Sequence, residues 1–200
     1  MPIQLASFVA PAAASGHEDE LATVGALAEG LRNHLQSIEP QLDRAHQPGA
    51  QSKKIQDLVG GWLEGRGFQP EYLAAFLETP STRSRPDFFL DLGRGRGVLA
   101  EVERGGAVNN NHDLKDLWKC HLSERTQHLF LVVPNRNFTT TGKRREAPFP
   151  RTRARLATFF ASHRTEVDVL SLWLFGYGPD DLPPGWMPPN DLVVDELPTP

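Results

Sequence analysis

The chain has 200 residues, one cysteine and a formal net charge of -4, enough for one domain with a real core and too few cysteines for a disulfide scaffold. Apolar residues make up 39% of it, with 17 Gly and 17 Pro, so long loops or tails are expected, and no apolar run is long enough to cross a bilayer. The charge is uneven: residues 1–50 and 179–200 are acidic and the middle is basic, which favours a polyanionic partner for the central part.

Residues 1–16 are small and apolar without a period, and are expected as an extended or frayed arm. They lack the basic start of a secretion signal, so a cytoplasmic location is expected. Leu21, Val24, Leu27, Leu31 and Leu35 recur at three- and four-residue steps after an acidic opening, which predicts a helix over 18–36. Its apolar face suits the core, a second copy of the chain or a partner protein. The stretch 40–50, with Pro40 and Gln47-Pro48-Gly49, reads as a linker. Three regions follow: an N-terminal arm and helix (1–50), an α/β domain (51–177) and an acidic, proline-rich tail (178–200).

A second amphipathic helix is expected over 51–65, from Ile55, Leu58, Val59, Trp62 and Leu63. A first strand is expected within 68–79, with Tyr72, Phe76 and Leu77 inward, then a turn over 80–84. Two β-rich runs, Arg85 to Leu92 and Val98 to Arg104, flank Gly93-Arg-Gly-Arg-Gly and read as a β-hairpin. That glycine-rich loop leads into a strand, so it is a turn and not a phosphate cradle.

Strand parity makes the hairpin informative. Glu101 and Glu103 share a face. If Leu92 pairs with Val98, Asp87 lies opposite Glu103 on that same face, and a register shift of two keeps all three together. Like charges so placed cost stability unless a cation offsets them. A cup of three hard oxygen ligands suits Mg²⁺ or Mn²⁺.

A helix is expected over 112–124, with Leu114, Leu117, Trp118 and His121 on its apolar stripe and Lys115 and Lys119 together on a neighbouring face. His112, Cys120 and His121 do not have zinc-ligand spacing, and Cys120 reads as a small buried hydrophobe. The run 128–133 has the pattern of a buried central strand. A basic loop with Lys143, Arg144 and Arg145 precedes a helix over 151–163 that adds Arg151 and Arg153, and a last strand is expected over 169–175. The fold class expected is α/β, with a mixed central sheet flanked by helices and an N-terminal helical extension.

Pro86-Asp87, a spacer, then Glu101-Val102-Glu103 resembles the PD-(D/E)xK signature of the restriction-endonuclease-like nucleases. Glu103 stands where lysine is usual, as glutamate does in some members. The resemblance covers roughly residues 51–175. It implies a restriction-endonuclease-like fold and Mg²⁺- or Mn²⁺-dependent phosphodiester hydrolysis, on DNA, in a restriction or defence role. Asp87 and Glu101, with the carbonyl of Val102, would ligate the metal. Glu103 would orient or deprotonate water or hold a second ion, and Lys115 or Lys119 would supply the missing cation. Lys143, Arg144, Arg145, Arg151 and Arg153 would hold the nucleic-acid backbone. The helix before the first strand often brings a carboxylate or amide in this family; Gln51 and Gln56 are the candidates, with no Glu expected on the right face. The alternatives are a catalytically inactive nuclease-like module that binds nucleic acid or protein, and a subunit of a larger defence or toxin assembly.

Overall fold

The computed structural model describes residues 3–11, 15–48, 53–71, 85–105, 107–161, 167–182 and 184–187. Its frame is a six-stranded sheet in the order β1-β6-β5-β4-β3-β2, made of β1 (Gln4–Val9), β2 (Gln69–Pro70), β3 (Phe88–Gly93), β4 (Arg96–Val102), β5 (His128–Pro134) and β6 (Ser171–Tyr177). β4, β5 and β6 run parallel, while β1, β3 and β2 pair antiparallel. Parallel neighbours need crossovers, and helices α4 (His112–Leu122) and α5 (Pro148–Ala157) supply them. The other helices are α1 (Glu18–Ser37), α2 (Glu39–Ala45) and α3 (Lys53–Glu64). The expected α/β class with a mixed, helix-flanked sheet is what forms.

Side-chain alternation builds two cores. Val98, Ala100, Val102, Phe130, Val132, Phe175 and Tyr177 face the helices α1 to α3, meeting Leu31, Leu35, Leu42, Ile55, Val59 and Leu63. On the opposite face Leu99, Leu129, Leu131, Val133, Leu172 and Leu174 meet Leu117 and Cys120 of α4 and Leu156 of α5. β5 is buried along its whole length, as its unbroken apolar run requires. Among the described residues no helix is long and apolar enough to cross a membrane.

Several expectations are corrected. The frayed arm is the edge strand β1, in register with β6 from Gln4↔Gly176 to Val9↔Ser171. The stripe of α1 is spent on the chain's own core, with Val24, Ala28, Leu31 and Leu35 buried. The stretch read as a linker begins with a helix, α2, and Pro40 sits in its first turn, where a missing N–H costs nothing. The hairpin register is two residues off the assumed one: Leu90 pairs with Val98, with an irregularity between Asp91 and Gly93. Its turn places Arg94 (φ 56°) and Gly95 (φ 73°) at positive φ, the type I′ geometry that suits strand twist. Arg96 is tied by its guanidinium to Glu20, at 2.7 to 2.9 Å. Tyr72, Phe76, Leu77, the 80–84 turn, Gln51 and most of the acidic tail lie outside the described residues.

One close approach positions the hairpin. A Cβ at Gly60 would stand 2.7 Å from the Phe88 ring, so α3 lies against the start of β3 only because residue 60 has no side chain.

Candidate functional site

The two-residue register shift preserves parity, so Asp87 falls opposite Glu101 in the continued ladder. The two are joined directly: Asp87 N–H donates to Glu101 Oε2 at 3.4 Å, and Val102 N–H donates to Asp87 Oδ2 at 2.8 Å. Glu101 is 3% exposed. It occupies the sheet face that α4 covers, one step along from Leu99.

α4 meets that carboxylate with charge. Its buried residues are Asp113, Asp116, Leu117, Lys119 and Cys120, whereas Trp118 of the expected apolar stripe and the neighbouring Leu122 are exposed. The helix is rotated from its hydrophobic pattern because its inward charges are paired. Lys119 Nζ donates to Glu101 Oε1 at 2.7 Å and lies 3.0 Å from Asp116 Oδ1. Asp113, also inward, takes Arg155 Nη1 at 3.0 Å. Lys115 stays exposed and attracts the Asp87 carboxylate through space.

Among the described residues the three carboxylates thus have one buried ammonium between them, with Lys115 acting on Asp87 from solvent, and their pKa values register the deficit. Burial raises Glu101 well above the usual value, and repulsion from Asp116 and Asp87 adds to it. Burial pushes Asp116 up to about 6, only partly opposed by Lys119. Asp87 is raised by burial too, against the pull of the Val102 N–H and Lys119. Burial works against a charged Lys119, but Glu101 and Asp116 outweigh it and hold its pKa above the ordinary lysine value. Asp116 Oδ2 is buried with no hydrogen-bond partner among the described residues.

Glu103 takes a separate role. Its Oε2 is 3.0 Å from His112 Nδ1, and its carbonyl accepts from Tyr177 Oη at 3.1 Å. Among the described residues no three His, Cys, Asp or Glu side chains converge as a metal-ligand set, so the three-carboxylate cup does not form from side chains alone. What fits a hard cation is smaller: the Asp87–Glu101 pair, an excess of negative charge, and the orphaned Asp116 oxygen.

Two participants were missed. Asp116 precedes Lys119 by three residues, the spacing that puts both on one helix face, and this was its available signal. His112 opens α4 nine residues after Glu103, and nothing in its spacing marks it. A third correction concerns α3. Glu64, in its last turn, lines a cleft of about 490 Å³ with Gln56, Asp57, Glu71 and Asp87, so a glutamate does face the start of the hairpin. Of the basic group, Lys143, Arg145, Arg151 and Arg153 are exposed. Arg144 is engaged by Asp181 of the acidic tail, its Nε donating to Oδ1 at 2.6 Å. Cys120 is buried, its thiol pushed up to about 12 by burial, which leaves it inert.

The elements together define an α/β protein with a charged cluster near the carboxyl end of a parallel strand. No family model matches the chain, and no curated protein matches it in sequence. Among solved structures the chain is similar to the restriction endonuclease BglII complexed with a DNA 16-mer, at 14% identity and a TM-score of 0.49, over 90% of this chain and 78% of that one. At that level of likeness the site's chemistry rests on this chain's own residues.

Proposed function

We propose that the chain is a metal-dependent nuclease that hydrolyses phosphodiester bonds, with DNA as its substrate. The observation that carries this reading is the half-buried Asp87 joined to the buried Glu101, crowded by Asp116 and, among the described residues, ion-paired with Lys119 alone. Raised carboxylates cost folding stability, and a cluster that is poor for stability is a candidate for chemistry. Asp87 and Glu101, with the carbonyl of Val102, would hold Mg²⁺ or Mn²⁺. Such an ion, when bound, polarises a phosphoryl oxygen and lowers the pKa of water.

The remaining roles belong to the side chains. His112 Nδ1 lies 3.0 Å from Glu103 Oε2, and the tautomer that donates from Nδ1 would leave Nε2 as a proton acceptor for an attacking water. Lys119, held protonated, offers its charge to the oxygens of the scissile phosphate. Lys115 adds to that field from solvent. Lys143, Arg145, Arg151 and Arg153 hold the nucleic-acid backbone without reading sequence, and Arg144 joins them when Asp181 releases it.

A second reading is favoured by one specific contact. Lys119 Nζ, at 2.7 Å from Glu101, stands in for a cation, as it would in a nuclease-like module that binds nucleic acid or protein without cutting. Incubating the chain with plasmid, linear duplex and single-stranded DNA in Mg²⁺ or Mn²⁺ separates the two. Cleavage is expected, falling by about a hundredfold or more in Asp87→Asn and Glu101→Gln, with DNA binding in EDTA retained. Absence of cleavage by the unaltered chain with either ion overturns the enzyme and leaves the second reading.

A further inference from the structure

A second cavity, of about 520 Å³, lies immediately beyond Glu103, where β4, β5 and β6 end. Its walls include His46, Arg104, Asn109, Phe138, Thr139 and Arg145. In open α/β sheets the crevice outside the carboxyl ends of the strands is where ligands bind, and the volume suits a small-molecule pocket.

Two buried polar atoms in its walls are unmet. His46 is 4% exposed, and its Nε2 lies 2.7 Å from the Arg136 carbonyl. A carbonyl only accepts, so Nε2 carries the hydrogen and Nδ1 of the neutral ring keeps its lone pair. Burial lowers the His46 pKa and favours that neutral ring. Nδ1 is buried and has no hydrogen-bond partner among the described residues. Arg104 is the converse case: its Nη2 donates to the Gln47 carbonyl, while its buried Nε–H has no partner among the described residues. An unsatisfied acceptor and an unsatisfied donor each leave a desolvation cost unrecovered, and a ligand that supplied both complements would recover it.

The rest of the lining narrows the ligand. Glu146, the acid of this cavity, is held on both oxygens, by Asn137 Nδ2 at 2.8 Å and by Asn109 Nδ2. Its one negative charge, hydrogen-bonded among the described residues only by neutral amides, stands against two guanidinium groups, Arg104 and the exposed Arg145, so the described lining is net positive. Phe138 offers an aromatic ring, tilted against His46 at 6.4 Å between centroids. We propose that this cavity binds a nucleotide, whose base donates an N–H to His46 Nδ1 and packs on Phe138 while its phosphate takes Arg104 Nε and Arg145. Stacking with edge hydrogen bonding is how proteins hold unpaired bases, and arginine is the side chain suited to phosphate. The ligand is either a free mononucleotide or an unpaired nucleotide within a strand. In the second case the inference deepens the nuclease reading by naming unpaired nucleic acid as the substrate.

Binding measured in EDTA on the full chain tests this apart from cleavage. The probes are the four deoxymononucleotides, a short single strand and the matching blunt duplex. Mononucleotide binding, or binding of the single strand in preference to the duplex, is expected, and tells the two sources apart. Arg104→Met and Arg145→Ala should each weaken it by about tenfold or more, the loss of a charged hydrogen bond. Arg145 is exposed, so its variant keeps the parent melting temperature and remains informative if Arg104→Met folds poorly. Failure of the unaltered chain to bind mononucleotides or to prefer the single strand, or unchanged affinity in Arg145→Ala, overturns the pocket. Cleavage without such binding rejects the pocket alone; such binding without cleavage rejects the nuclease alone.

Discussion

Among the described residues two polar clusters sit at opposite ends of the parallel strands, one half-buried and balanced, the other more deeply buried and unbalanced. At the amino ends, Glu20 meets the Arg96 guanidinium at 2.7 Å and His128 Nε2 at 2.6 Å, and His128 Nδ1 lies 2.8 Å from Ser171 Oγ. One carboxylate there faces one permanent cation and one imidazole. Burial raises the Glu20 pKa, but the hydrogen bonds from Arg96 and His128 outweigh it and the net shift is downward. Near the carboxyl end of β4, Asp87, Glu101 and Asp116 share Lys119, and all three carboxylates shift upward. The first cluster ties α1 to the hairpin and the sheet. The second holds more carboxylates than cations among the described residues.

The largest effect should come from removing Lys119, the buried cation of the unbalanced cluster among the described residues. Lys119→Met leaves Glu101 and Asp116 facing each other in a buried space, and breaking a buried pair from one side costs about 3–5 kcal/mol. Urea unfolding at neutral pH reads that loss. A change within experimental error would mean that the carboxylates are already neutral and the cluster is not a source of strain.

The pH dependence of stability separates the clusters by sign. A carboxyl whose folded pKa lies above its unfolded value binds its proton more tightly when folded. Its stabilising contribution is complete below the unfolded pKa and is lost as pH rises through the folded one. Asp116, with a folded value of about 6, should therefore make the chain less stable as pH climbs from about 4 through 6 toward neutrality. Asp116→Asn should flatten that limb by about 1–3 kcal/mol, as read by denaturant midpoints at several pH values. A profile unchanged by Asp116→Asn would remove Asp116 from the cluster's electrostatics.

The contrast also explains what could be read without coordinates. The hairpin was legible from two β-rich runs around a glycine-rich turn and the buried β5 from its unbroken apolar run, while the shared face of Asp87 and Glu101 followed from period-two alternation, which survived a register error of two residues because parity did. The orientation of α4 did not follow. Hydrophobic periodicity assumes that the apolar side is the buried side, yet Asp113, Asp116 and Lys119 are inside and Trp118 and Leu122 outside. Partners distant in sequence, Glu101, Thr152 and Arg155, help make that orientation tolerable. β1 was invisible for a related reason: its alternation is weak because it is an edge strand, and its pairing with β6 bridges most of the chain. Pro40 misled because a proline in a first helical turn carries the same letter as one in a loop.

The smallest effect belongs to the balanced cluster and has the opposite pH sign. Glu20→Gln removes one partly exposed carboxylate, its side chain about 21% accessible, so solvent screening limits the loss to about 1 kcal/mol at neutral pH. Because the folded pKa of Glu20 is lowered, its contribution is complete above the unfolded value and is lost as pH falls through the folded one. The variant and the parent should therefore converge in stability at acid pH, below about 4.5. That is the range in which the Asp116 penalty has already vanished. If the proposed nuclease activity is found, it should be untouched by Glu20→Gln, since among the described residues Glu20 is hydrogen-bonded to the hairpin through Arg96, at the end remote from Glu101. If cleavage fell with this variant, the two ends of the hairpin would be mechanically linked, and the division into a structural cluster and a reactive one would no longer hold.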